Sequence, residues 1–156
     1  MPHDPTVIPI MRGRLVLVAE RYGTPRVLVT TTIRNLGYPA KACPTGADAL
    51  AFLRLHADGV HCLLADVGLP DMDGRELAAR AVEIVPGLRV VLMVAPGDAV
   101  RTPGAGGLPC VTKPVFRDRL AAILAELLGP PVREPNPGAS MGRPRSRRRP
   151  SGSHPA

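Results

Sequence analysis

Three short aliphatic runs constrain this chain more than any other feature. They are residues 14–19 (RLVLVA), 61–65 (HCLLA) and 88–94 (LRVVLMV). A strand with one wet face alternates apolar with polar residues. A run that is apolar on successive positions is buried on both faces, which is the habit of strands in parallel sheets. The same runs make a single aliphatic core the natural solution, since aromatics are only 3% of the residues and Trp is absent.

Helix signals separate the runs. Residues 24–36 have Thr24 to cap, Pro25 for the first turn and Gly37 to stop. Their interior argues for a strand, because Val27, Val29, Thr30, Thr31, Thr32 and Ile33 are all β-branched. Residues 39–43 read as a weak strand. Residues 45–56 open on a capping Thr45 and place Ala49, Phe52 and Leu53 on one face. Residues 74–85 put Leu77, Ala81 and Ile84 on one stripe. Residues 109–112 read as a short strand, and 117–128 as an amphipathic helix with Leu120, Ile123, Leu124, Leu127 and Leu128 apolar. Five strands alternating with helices predict right-handed crossovers and a doubly wound parallel α/β sheet with helices on both faces. The segment 98–107, where a fourth helix belongs, is rich in Gly and Pro and is expected to be truncated or disordered.

Composition sets the borders. Pro (19) and Gly (16) are too many for one packed domain of 156 residues. Residues 129–156 hold six Arg and one Glu, so most of the formal charge of +7 belongs to them. This Pro/Arg-rich tail cannot bury apolar surface and is expected to be disordered. Residues 1–13 read as a flexible extension without signal-peptide character, with Met11 a candidate start. The predicted domain is 14–128. Three Cys exclude a disulfide scaffold, and the chain has no apolar run of membrane-spanning length.

In such sheets ligands sit at the carboxyl ends of the strands. Glu20 and Arg21 follow the first strand, Asp66 ends the third, and Lys113 follows the last and precedes Pro114. The segment around Asp66 reads LLADVGLPDMDG, and that around Lys113 reads VTKPV. With these motifs in this order, the chain resembles the receiver domain of two-component response regulators, a flavodoxin-like fold. The resemblance implies that Asp66 is the phosphoacceptor. It implies that Lys113 contacts the phosphoryl group, across a cis bond to Pro114. It also implies that Gly68 offers a backbone carbonyl to Mg²⁺, beside Glu20 and Asp66, and that Gly74 relieves backbone strain in the turn.

The departures from the family are equally specific. Two adjacent acids normally follow the first strand. Counting back from Gly37 puts Glu20 in the first place and Arg21 in the second, the direct metal ligand; a one-residue shift would use Ala19 and Glu20. One carboxylate is missing in either register, so Mg²⁺ binding is expected to weaken. Ala95 stands where the family has a Thr or Ser, and Cys110 where it has an aromatic switch residue. Asp71 and Asp73 read as turn and capping residues, the four His show no zinc spacing, and Cys43, Cys62 and Cys110 read as small buried hydrophobes.

The resemblance implies a cytoplasmic bacterial receiver that takes a phosphoryl group from a histidine kinase or His phosphotransfer protein and acts on a downstream protein. The alternative is a pseudo-receiver, independent of phosphorylation, in which Arg21 satisfies the acidic pocket without metal. An enzyme is not expected. A phosphohydrolase using Asp66 as nucleophile commonly needs a second Asp two residues on, where Gly68 stands. Nucleic acid is a candidate partner only for the Arg-rich tail, through Arg143, Arg145, Arg147, Arg148 and Arg149, and no aromatic residues are interleaved there for stacking.

Overall fold

The apolar runs become the middle of one parallel sheet. A computed structural model of the chain describes residues 14–97 and 107–131. Its strands are β1 (Leu15–Ala19), β2 (Ala40–Cys43), β3 (Val60–Asp66), β4 (Arg89–Val94) and β5 (Cys110–Thr112), in the order β2-β1-β3-β4-β5. All four pairings are parallel. Among the described residues the helices are α1 (Gly23–Asn35), α2 (Gly46–Leu55), α3 (Gly74–Ile84) and α4 (Arg117–Leu128). The expected extension 1–13, most of the segment 98–107 and the tail beyond Pro131 lie outside the described residues.

The sheet separates two cores. Ala49, Leu50 and Leu53 of α2 pack with Leu77, Ala78 and Ala81 of α3 against Leu17, Leu63, Ala65 and Leu92. On the other face Val29 and Ile33 of α1 join Leu120, Ile123 and Leu124 of α4 over Val18, Leu64, Val91 and Met93. Successive side chains of a strand point to opposite faces, so both faces draw on the same continuous run. The ladder between β1 and β3 shifts between Leu15 and Val16, whose partners are Val60 and Cys62. The skipped residue is His61, which is exposed although it lies inside a buried strand.

α1 forms despite its β-branched interior. Val29, Thr30 and Ile33 are buried, and the hydroxyls of Thr30 and Thr32 donate to the carbonyls of Arg26 and Leu28 at 2.6 and 2.8 Å. Tertiary burial thus overrides a weak propensity. The expected cap is corrected: the N-cap residue is Tyr22, with no side-chain cap bond, and Thr24 already lies inside the helix. Gly37 does stop the helix, with φ of 99°.

The packed chain runs past the predicted border at residue 128. The Tyr38 hydroxyl donates to the Gly129 carbonyl at 2.8 Å. Pro131 lies so close to Gly37 that a Cβ there would approach Pro131 Cβ to 2.9 Å.

Candidate functional site

Strand periodicity builds the site. Val18, Leu64 and Val111 all belong to the core under α1 and α4. Two residues further along each chain stand Glu20, Asp66 and Lys113, so their side chains continue the same face at the carboxyl ends of the strands. The sheet order reverses between β1 and β3, since β2 lies on one side of that pair and β4 and β5 on the other. A crevice at this switch point is where doubly wound sheets bind ligands.

The three side chains meet. Lys113 Nζ lies 2.6 Å from Glu20 Oε2 and 3.0 Å from Asp66 Oδ2. Glu20 is fully buried and Asp66 is 5% exposed. The backbone N–H of Gly68 donates to Asp66 Oδ1 at 3.0 Å, and that of Tyr22 to Glu20 Oε1 at 3.2 Å. Among the described residues, no donor other than the Lys113 ammonium reaches the buried Glu20 Oε2. Burial works against the charge of Lys113, but the carboxylates of Glu20 and Asp66 outweigh it and hold the ammonium pKa above the ordinary lysine value. The peptide between Lys113 and Pro114 is cis. A cavity of about 370 Å³ opens beside the cluster, between Pro25, Leu28 and Val29 of α1 and the Pro114–Val115 segment.

Arg21 is outside this cluster. It is exposed, and its guanidinium carbon lies 5.0 Å from the centre of the Tyr22 ring. The pseudo-receiver alternative has Arg21 fill the acidic pocket; that detail is corrected, since the cation between the carboxylates is Lys113. Arg26 steadies the turn instead, donating from Nη1 to the carbonyls of Glu20 and Arg21 at 3.1 and 3.3 Å.

The loop after Asp66 is closely packed. The N–H of Gly74 donates to the Val67 carbonyl at 3.0 Å. A Cβ on Gly74 would stand 2.3 Å from the Asp66 carbonyl oxygen. Gly74 does not have positive φ, so the expected reason for this glycine is corrected: it serves close approach, not an unusual backbone conformation. Asp73 caps α3 by accepting from the Arg75 N–H at 2.8 Å. The Arg75 guanidinium and N–H hold the Asp73 carboxyl below the usual range, against partial desolvation.

The two switch positions fall at strand ends. Ala95 follows β4, is exposed and has no hydroxyl to offer. Cys110 opens β5, is half-buried, and has its thiol 3.6 Å from the Leu108 carbonyl. Cys43 and Cys62 are buried, and burial pushes both thiols up to about 12. They are unreactive core residues.

Residues 16–125 match the family described as the response regulator receiver domain. The chain belongs to that family. Over 114 residues it is 32% identical to the sensor histidine kinase RcsC of Salmonella typhi, covering 71% of this chain and 12% of RcsC. Over 119 residues it is 30% identical to the transcriptional regulatory protein GlrR of Escherichia coli K12, covering 74% of this chain and 26% of GlrR. The match thus spans a small part of those relatives. A receiver domain protein from Clostridium thermocellum superposes with a TM-score of 0.68 at 16% identity, covering 72% of this chain and 92% of that one. The chemotaxis protein CheY4 of Vibrio cholerae gives 0.62 at 21% identity, covering 74% and 99%. The fold of this receiver is the flavodoxin-like α/β arrangement of a CheY-like domain.

Receiver domains generally bind Mg²⁺ at the phosphorylation site and serve as signalling modules rather than enzymes. Mg²⁺ keeps several waters and is typically held by one or two carboxylates together with phosphate oxygens. Glu20 and Asp66 supply two such carboxylates, and among the described residues the buried Glu20 Oε2 has one close partner, Lys113. Among the described residues no group of three or more His, Cys, Asp or Glu is arranged to hold a metal. The donor set therefore suits an ion shared with a phosphoryl group and falls short of a dedicated cage. No helix among the described residues is long and apolar enough to cross a membrane.

Proposed function

We propose that this receiver accepts a phosphoryl group on Asp66 from a histidine kinase or His phosphotransfer protein, in the cytoplasm of a bacterium. One observation carries the reading: two buried carboxylates, Glu20 and Asp66, converge on the single ammonium of Lys113 at the switch point of the sheet. A carboxylate oxygen of Asp66 attacks the phosphorus of a phosphohistidine. The O–P bond forms, the N–P bond breaks, and the imidazole leaves with the electron pair. Lys113, already 3.0 Å from Asp66 Oδ2, pairs with the developing phosphoryl charge. Glu20, Asp66 and the Gly68 carbonyl are the groups that would hold Mg²⁺, which supplies neutralisation of the phosphoryl oxygens when bound. The output then passes to a protein target.

A second reading rests on Arg21, Ala95 and Cys110. With one acid, one hydroxyl and one aromatic replaced, and Lys113 already bridging the two carboxylates, the domain acts as a phosphorylation-independent pseudo-receiver whose unmodified surface binds its partner.

Labelling separates the two. The protein is incubated with acetyl phosphate, with and without Mg²⁺, beside Asp66→Asn, and intact mass is read. A Mg²⁺-dependent phosphoryl adduct absent from the variant supports the acceptor. No adduct over hours in folded protein supports the pseudo-receiver.

A further inference from the structure

The loop that follows Asp66 has one polar tether that its own helix does not supply. The Asp71 carboxylate accepts from the backbone N–H groups of Gly46 and Ala47, at 2.9 Å each. Those groups are two of the unpartnered donors at the start of α2. The next donor, Asp48 N–H, goes to the Thr45 hydroxyl at 3.0 Å, and Ala49 N–H goes to the Thr45 carbonyl at 3.2 Å. The helix start is thus shared between its own cap residue and a side chain from another loop. Met72 reinforces the joint: its side-chain atoms would stand 2.6 to 2.9 Å from a Cβ on Gly46. Among the described residues Asp71 is the only side chain of the loop hydrogen-bonded to α2.

At its other end the same loop carries Gly68, whose N–H holds Asp66 Oδ1 at 3.0 Å. The loop is pinned at Val67, through its N–H to the Met93 carbonyl at 3.1 Å and its carbonyl to the Gly74 N–H. Between these pins, the path of residues 68–72 is set by burial of Leu69 and by the Asp71 joint. The Gly68 N–H shares a planar peptide with the pinned Val67 carbonyl and stays in place, whereas release of the joint frees the Gly68–Leu69 peptide to turn, and with it the Gly68 carbonyl that would face Mg²⁺ beside Asp66. We propose that Asp71 is a positioning residue for the acceptor site, acting through Gly68 and using α2 as its anchor. This rests on the reading of Asp66 as the acceptor.

The test compares Asp71→Ala and Asp71→Asn with Thr45→Ala, which removes a hydrogen bond from the same helix start and leaves the loop tether in place. The labelling rate with acetyl phosphate is measured alongside the urea midpoint, and the Leu69 amide, which belongs to the Gly68–Leu69 peptide, is followed by ¹H–¹⁵N NMR. The expected result for Asp71→Ala is a labelling rate lower by about tenfold or more, as misplacement within a reacting site costs, with a shifted or broadened Leu69 amide. Asp71→Asn, which keeps an acceptor oxygen, recovers part of both. Thr45→Ala lowers the midpoint and leaves rate and Leu69 amide as in the parent protein. Equal behaviour of Asp71→Ala and Thr45→Ala overturns the proposal, since both then act only on stability. If the parent protein takes no label, the acceptor reading fails, and the Leu69 amide alone decides the role of Asp71: an unchanged amide in Asp71→Ala overturns it.

Discussion

Lys113 is the residue on which the site balances. It stands between two carboxylates, of which Glu20 has no contact with water. Removing one partner of a buried ion cluster leaves an uncompensated charge. Lys113→Met is expected to destabilise the protein by about 3 kcal/mol at neutral pH, read from urea midpoints. The pH dependence follows from the sign of the shift. The folded pKa of Lys113 is raised, so its contribution is complete below the unfolded lysine value of about 10.4 and is lost as pH rises through the folded one. Parent and variant midpoints should therefore keep their separation from neutral pH to about 10 and converge only above it. Arg21 makes the opposite case, of a residue whose charge matters by what it replaces. Arg21→Asp adds a carboxylate beside Glu20 and removes a cation. Mg²⁺ affinity measured by calorimetry should rise by about tenfold or more.

At the scale of elements, α2 and α3 owe their starts to the acceptor loop. Gly74 sits where a methyl group would stand 2.3 Å from the Asp66 carbonyl oxygen. Gly74→Ala should cost about 1–3 kcal/mol, the usual range for overpacking, in chemical denaturation. Asp71 gives the start of α2 an acid-sensitive joint. Partial desolvation acts against its charge, but the backbone N–H groups it accepts prevail and lower its pKa. The stability it lends is complete above the ordinary Asp value of about 3.9 and is lost as pH falls through the lower folded value. The midpoint difference between parent and Asp71→Asn should thus shrink below about pH 4. These elements also show what the sequence could reveal. β1, β3 and β4 were legible because both faces of each strand are apolar. α2 and α3 were legible because Thr45 and Asp73 are local caps. The start of α1 is not marked by Thr24, since Arg26 and tertiary burial replace a local cap there. Asp71 read as a turn residue, because its partners Gly46 and Ala47 lie in a distant stretch of chain and no local pattern links them. The family motif named Glu20, Asp66 and Lys113 as residues of one site, but the direct pairing of Lys113 with both carboxylates had no sequence signal, and neither had the outward turn of Arg21.

At the scale of the whole molecule, the cores and the sheet formed by the described residues reach from Leu15 to Leu128, with Gly129 and Pro131 packed beside them. Compared with a fragment of residues 14–131, one ending at 128 lacks the carbonyl that Tyr38 holds. In calorimetry its loss should cost about 1 kcal/mol, the usual net value of one hydrogen bond. Arg14 and Gly129 are neighbours: a Cβ on Gly129 would stand 2.8 Å from Arg14 Nη1. Both lie at the amino end of β1, a strand-length of about 16 Å from Glu20 at its carboxyl end. The backbone therefore enters and leaves this domain through one doorway, on the far side from the acceptor. A longer polypeptide could carry such a unit as a side chapel off its main aisle, lengthening or shortening on either side without obstructing the pocket, and in RcsC and GlrR the matching segment is indeed a minor share of the whole.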